Sequence, residues 1–167
     1  MSNEIHVTGL KELAQFLDEL PEKIQKNVMR GSLRAGMKVV QEEAKSTSAF
    51  ADKTGQLRAG LKIGTKSRGG TVTASLSAKG QHGYIARFIE YGVKPHVISA
   101  KEGGALAFGG GVFQSVKHPG LKPHPFMRPA LDGQAQNAVV AAAEYMKDRL
   151  ATKHGIDTSH IFIEGDE

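Results

Sequence analysis

The segment from residue 93 to residue 125 constrains the fold most, because it is long, rich in glycine and proline, and without helical periodicity. It contains six of the chain's 20 glycines and four of its 6 prolines. Structureless loops of this length are uncommon inside compact domains. Apolar runs of strand length interrupt it at 96–99, 105–108 and 112–116. The sequence therefore predicts an extended, glycine-rich β-hairpin arm instead of coil.

Two helices are predicted before the arm. Apolar residues recur at helical spacing over 10–20, with Thr8 as the predicted N-cap, and Pro21 then opens a longer helix that ends before a loop at 46–55. One face of the longer helix is built largely from small residues. We therefore expect a second backbone to approach this face closely, either from the sheet or from another subunit.

A hairpin is predicted between these helices and the arm. From Leu57 to about Ala78, apolar and polar residues alternate on both sides of a turn at 68–70, which is typical of a β-hairpin with one buried face. The apolar segment at 84–91 fits a strand or a short helix equally well, so its type stays open.

The last helix is predicted between about Met127 and Thr152. The resulting fold class is α+β: a small antiparallel β-sheet packed by two N-terminal helices and a long C-terminal helix, with the arm at 93–125. A chain of 167 residues is expected to form one domain. We assign this domain to residues 1–155 and treat residues 156–167 as an acidic C-terminal tail, predicted to be flexible.

Charge divides the chain unevenly. Lysine and arginine total 22 against 17 acids, and four of the acids lie in the last eleven residues, so residues 1–156 carry a net charge of +9. Cations around the hairpin, Arg58 among them, and on the arm would attract phosphate without reading a base sequence. The alternative is a solvated basic face with no partner. The candidate DNA-facing residues are Lys62, Lys66, Arg68 and Lys101.

Patterns typical of enzymes, metal sites and membrane spans are absent from the sequence. The chain has no cysteine, no nucleophile elbow and no phosphate-binding loop. Its histidines stand at 6, 82, 96, 118, 124, 154 and 160. Those in the arm adjoin prolines and lack metal-ligand spacing, which indicates turn and packing residues. We therefore predict no catalytic residue, no metal, no cofactor and no membrane contact, and a protein made in a cytosol.

Several short strings resemble a known family when taken in order. They are GlyLeuLysGluLeu, LeuProGluLysIle, LeuArgAlaGlyMetLysValVal, LysThrGlyGlnLeuArg, PheIleGluTyrGly, and HisProGly followed by ProPheMetArgProAlaLeu. Over residues 8–152 the chain is similar to the gene-product-ten-like tail-component proteins of lambda-like long-tailed bacteriophages.

The resemblance implies a noncatalytic virion protein of the neck, acting in head-to-tail joining, tail completion or tail termination and assembled in the host cytoplasm. It also implies a homo-oligomeric ring, typically hexameric, that meets the tail tube protein and head-tail connector or stopper proteins, with DNA passing through its lumen. Scaffold roles are implied for Gly55, Leu57, Glu90, Gly92, Pro125 and Pro129.

An exposed apolar arm is a liability for a monomer, because unpaired strand edges invite association. In a ring, the same arm is buried against the next subunit. The candidate subunit-interface residues are therefore Leu106, Phe108, Val112, Phe113, Val116 and Phe126.

Overall fold

The computed structural model describes residues 7–81 and 83–164. His6, His82, Asp166 and Glu167 lie outside this part of the chain. The helices are α1 (Leu10–Asp18), α2 (Glu22–Ser46), α3 (Gln56–Gly60), α4 (Gly83–Tyr91) and α5 (Met127–His154). The strands are β1 (Leu61–Arg68), β2 (Thr71–Ala78), β3 (His96–Ser99), β4 (Leu106–Phe108), β5 (Gly111–Phe113) and β6 (Ser115–His118). The predicted α+β class is confirmed.

Helices α2 and α5 form the centre of the molecule and cross at small residues. A Cβ atom on Gly36 would lie 2.4 Å from the carbonyl oxygen of Ala138. Beside it, the Ser32 hydroxyl donates a hydrogen bond of 2.8 Å to the carbonyl of Ala142. A close backbone approach to α2 is therefore present, but it occurs at Ser32 and Gly36, and the approaching backbone is that of α5, which the sequence did not predict.

The β1–β2 hairpin is antiparallel, with Leu61 opposite Ala78 and Arg68 opposite Thr71. Its inner face packs on α2, which confirms the predicted hairpin with one buried face. The hairpin begins later than predicted, because residues 56–60 form α3 instead of strand. The segment whose type was open is helix α4, which buries Ala86.

Two apolar cores hold these elements together. The first lies between α1, α2, α5 and the C-terminal segment, and contains Leu13, Leu17, Val28, Ala143, Met146, Leu150 and Ile161. The second lies between α2, α3, α4, β1 and the start of α5, and contains Val40, Ala44, Leu57, Leu61, Ala86, Phe126 and Ala130.

The structure of the C-terminal segment, residues 156–164, contradicts two predictions. Ile161 is 2% exposed and Thr158 is 3% exposed, so the described part of this segment belongs to the folded unit and is not a separate flexible tail. Thr8 does not cap α1. Its hydroxyl accepts a hydrogen bond of 3.1 Å from the Glu164 amide, and its own amide donates to the Glu164 carbonyl at 3.1 Å. The residue before α1 is Gly9, whose φ is 78°.

The arm is built from two antiparallel ladders. Strand β3 pairs with β6 and β4 pairs with β5, which confirms β structure in the glycine-rich segment. The run at 112–116 was predicted as one strand but is divided at Gln114 between β5 and β6. Neither ladder packs extensively on a helix or on the β1–β2 hairpin.

Candidate functional site

The base of the arm is fixed by a tight backbone contact. Val93 and Leu121 exchange hydrogen bonds of 2.9 and 2.8 Å between their amides and carbonyls. Gly120 has a φ of 84°, and a Cβ there would lie 2.3 Å from the Val93 carbonyl oxygen. A glycine is therefore required where the two strands of the arm converge. Gly92, with a φ of 73°, turns the chain from α4 into this contact.

Glu90, near the end of α4, joins this helix to the start of α5 across the base of the arm. One oxygen of its carboxylate accepts hydrogen bonds from the amides of Phe126 at 2.8 Å and Met127 at 2.9 Å, and the other accepts from Arg128 at 3.1 Å. A carboxylate at this position satisfies free amides and lies at the positive end of the helix dipole. Pro129 lies in the same first turn, where its missing amide hydrogen has no cost. Pro125 precedes it at the surface.

A second scaffold lies in the loop at 46–55. Gly55, with a φ of 69°, begins α3, which buries Leu57 in the second core. Arg58 donates hydrogen bonds to the carbonyls of Lys45, Thr47 and Phe50. Its guanidinium also lies 4.7 Å from the centre of the Phe50 ring. Arg58 is therefore engaged in shaping this loop and does not belong to the basic face.

The tip of the arm presents an apolar surface. The β4–β5 register places Leu106, Phe108 and Phe113 on one face, with the two phenylalanine rings 4.9 Å apart. Phe108 is 53% exposed, Phe113 is 42% exposed, and Val112 on the opposite face is 73% exposed. Gly111 leaves room for this arrangement, since a Cβ there would lie 2.8 Å from the Phe113 ring.

The two remaining predicted interface residues, Val116 and Phe126, lie in different parts of the structure. Val116 lies on the β3–β6 ladder and is half-buried. Phe126 is 2% exposed and its ring lies 4.6 Å from that of Phe50, so it is a core residue of the protomer and not an interface residue. Sequence reasoning missed Val97 and Ile98, which are exposed on β3. Their apolar character within the predicted strand 96–99 could have identified them.

A basic face lies on the outer side of the β1–β2 hairpin. Lys62, Lys66 and Arg68 alternate with inward residues along β1 and are exposed. Residues across the hairpin on the same face are hydroxyl-bearing: Ser77, Ser75, Thr73 and Thr71. Lys101 lies after β3 on the arm and is not part of this hairpin face.

Helix α2 extends the basic face with cations that the sequence reasoning did not nominate. A groove of about 460 Å³ between α2 and β1 is lined by Arg34, Lys38 and Lys62. Arg30 lies one turn before Arg34 on α2. The spacing of these cations at every fourth residue, which places them on one helix face, was the pattern that could have identified them.

Acidic neighbours engage two of the α2 lysines. Lys26 pairs with Glu22, and this hydrogen bond holds the pKa of the Glu22 carboxyl below its ordinary value. Lys38 lies 3.8 Å from Glu42. Within residues 7–81 and 83–164, the cations of the face without an ion pair are Arg30, Arg34, Lys62, Lys66 and Arg68. These five form the part of the face that is free to meet an anion.

Two of the three arm histidines form a pair. His96 and His118 stand opposite each other on β3 and β6 with ring centres 4.9 Å apart. Each is tied to nearby backbone: His96 Nδ1 lies 2.9 Å from the Lys94 carbonyl, and the Gly120 amide donates to His118 Nδ1 at 3.0 Å. In the described ranges, no group of three or more histidines and carboxylates is placed to hold a metal ion.

Comparison with known protein families adds a further observation. Residues 11–92 match the family model described as "Bacteriophage HK97-gp10, putative tail-component". Over these residues, which are 82 of the chain's 167, the chain is similar to this tail-component family. Neither a curated protein nor a solved structure matches it significantly. The resemblance predicted from the ordered strings is thus confirmed, and the matching family is one of structural phage tail components, which are parts of the virion.

The matched range covers the N-terminal half of the protein, before the arm and α5. It extends from α1 to the end of α4 and includes the basic hairpin, Gly55, Leu57, Glu90 and Gly92. The arm and α5 follow it. None of the helices formed by the described residues is both long enough and apolar enough to cross a bilayer.

Proposed function

We propose that this tail component forms a homo-oligomeric ring in the neck of a long-tailed phage, where it completes or terminates the tail tube and joins it to the head. In the tail-component family that the chain resembles, the ring is typically hexameric. Its neighbours are the tail tube protein and the head-tail connector or stopper proteins, and DNA passes through its lumen. Assembly takes place in the host cytoplasm.

The observation that carries this proposal is the exposed apolar arm on a fixed base. Isolated two-stranded ladders are marginally stable in water and gain independent stability from a third strand or from packing. The tail component nevertheless holds two such ladders away from its own cores, with Phe108 and Val112 exposed at the tip. Contact with another subunit would bury this surface, and head-to-tail contacts of this kind close into rings when the rotation permits.

The test is a phage that lacks the gene for this chain. We expect infected cells to accumulate separate heads and tails, because the joining layer is missing, and electron microscopy of the lysate measures this directly. Restoring the gene in trans should restore joined particles. Normal particles in the absence of the gene would overturn the proposal.

A second candidate function, favoured by the five unpaired cations of the basic face, is nonspecific DNA binding. Each phosphate that a cation neutralises releases counterions, so binding should weaken steeply with salt. If all five cations contact phosphate, the slope of log K against log salt is about −4.5. Purified protein and random-sequence duplex DNA test this, and absence of binding at low salt would remove the candidate.

In the proposed ring, this basic face would line the lumen through which DNA passes. Its cations contact phosphates, which all sequences share, and its hydroxyls add polar contacts without base readout. Exposed lysines and arginines exchange phosphate partners readily, so a weakly held duplex could still pass.

A further inference from the structure

The tail component has an apolar groove between β2 and α5. One section, of about 520 Å³, has Val72 and Ala74 of β2 on one side and Ala135 and Val139 of α5 on the other. A second section, of about 620 Å³, continues toward α4. The two sections share Met37, Ala74 and Leu131, so they form one continuous groove over α2.

An open strand edge runs along this groove. Within the described residues, β2 is hydrogen-bonded to β1 on one side and to no strand on the other. Five consecutive residues of β2, from Ala74 to Ala78, line the second section. Unpaired strand edges beside apolar surface are templates for an added strand. The groove therefore offers both main-chain hydrogen bonds and apolar contact to an incoming segment.

The arm of another copy has the properties that this groove requires. The exposed parts of Val97, Ile98, Phe108, Val112 and Phe113 sum to an apolar area on the order of 400 Å². A standard interface buries roughly 800 Å² per partner, a little over half of it apolar. Counted over both faces of its ladders, the arm thus carries about the apolar area that one side of a stable interface needs.

The size of the groove and its lack of charge both suit the arm of another copy. A cavity of about 150 Å³ accepts one benzene ring, so the first section has room for the aromatic pair at the arm tip. Among the described residues, none of those that line this section is charged. The arm cations Lys94, Lys101, Lys117 and Lys122 lie outside the β4–β5 tip, so docking the tip would bury none of them there.

We propose that the arm of one tail component docks in the β2–α5 groove of the next, with Leu106, Phe108 and Phe113 in the charge-free section and an arm strand added to the β2 edge. The contact is between copies, because in its own chain the arm does not pack extensively on β2 or α5. It is also heterologous, since arm and groove are different surfaces, as ring closure demands. This inference rests on the proposed ring.

Cross-linking in assembled particles tests the docking directly. The chain has no cysteine, so an introduced pair is unambiguous. Virions would carry Leu106→Cys with Ala135→Cys, or the control pair Leu106→Cys with Asn137→Cys, and would be treated with a short bis-maleimide. Asn137 lies two residues along α5 and is exposed on another side of the helix. We expect a ladder of covalent multimers from the first pair and single chains from the control.

Three results would overturn the docking: equal cross-linking in both pairs, a cross-link to a different virion protein, or no cross-link in joined particles. The last result differs from failure of the ring proposal, which would appear as normal particles when the gene is absent.

A second measurement needs no introduced cysteine and distinguishes loss of docking from loss of folding. Leu131→Arg places a charge in the groove and should weaken self-association at least tenfold with an unchanged melting temperature, whereas Phe162→Arg, exposed elsewhere, should not. Equal association of the two arginine variants would contradict the docking.

Discussion

The β1–β2 hairpin and the arm have the same local construction and opposite surroundings. Both are antiparallel ladders with glycine turns, and each ladder contains two strands. The hairpin lies on α2 and buries Leu61 completely, whereas the arm leaves Phe108 and Val112 exposed. Strand pairing alone therefore does not distinguish them. What distinguishes them is the apolar layer beneath, which the chain supplies to the hairpin and which, in the proposed ring, another subunit supplies to the arm.

The largest expected difference lies in stability to unfolding. Leu61→Ala removes a side chain that is 0% exposed and should lower the free energy of unfolding by about 2–5 kcal/mol. Ile98→Ala, on the arm, should lower it by less than about 0.5 kcal/mol, because surface changes have small effects. Urea denaturation of both variants measures the difference. Similar losses would show that the arm contributes to the monomer core.

Assembly should show the reverse dependence. Phe108→Ser with Phe113→Ser removes the aromatic pair at the arm tip and should weaken self-association about 100-fold or more, because buried aromatic anchors carry much of an interface's energy. The melting temperature of the monomer should change little. Analytical ultracentrifugation and complementation of the phage that lacks the gene measure assembly, and thermal denaturation measures the melting temperature.

The matched control for the arm is Phe162→Ser. Phe162 is 73% exposed but lies in the C-terminal segment, far along the chain from the arm. It should assemble as the unmodified chain does. If the arm variant also assembles normally, the exposed apolar tip has another use and the comparison with the hairpin loses its functional meaning.

Loss of the contact between α4 and α5 at the base of the arm should have an intermediate effect. Glu90→Gln removes the charge from a carboxylate that accepts hydrogen bonds from the first amides of α5, and should cost about 1–2 kcal/mol of unfolding free energy. Glu144→Gln, exposed in the middle of α5, should cost less than about 0.5 kcal/mol. Equal losses for the two variants would assign no special role to the Glu90 cap.

The sequence predicted the elements well where local pattern decides them. Alternation identified the hairpin, glycine content and short apolar runs identified the arm, and helical spacing identified α2 and α5. It failed where distant contacts decide. Nothing local to Ile161 shows that the first core covers it, and nothing local to Thr8 shows that Glu164 is its partner.

The candidate site divides in the same way. Exposed arm residues such as Phe108 were predicted, because a strand without a second apolar element nearby has an unburied face. Phe126 was assigned to the interface wrongly, since its burial depends on Phe50, which is distant in sequence. Glu90 was assigned a scaffold role only by resemblance. Its three bonds to the start of α5 could not be predicted, because they join residues that the whole arm separates.

The smallest expected effect concerns the outer face of the supported hairpin. Because α2 covers the inner face, the outer face is free to carry Lys62, Lys66 and Arg68. Arg34 of α2 lines the same groove as Lys62. Arg34→Gln should reduce the magnitude of the salt slope for DNA binding by about 0.9, the contribution of one phosphate contact. Lys11→Gln, on α1 outside this face, should leave the slope unchanged. Fluorescence anisotropy over a salt series measures both slopes, and equal reductions would mean that DNA responds to net charge and not to this face.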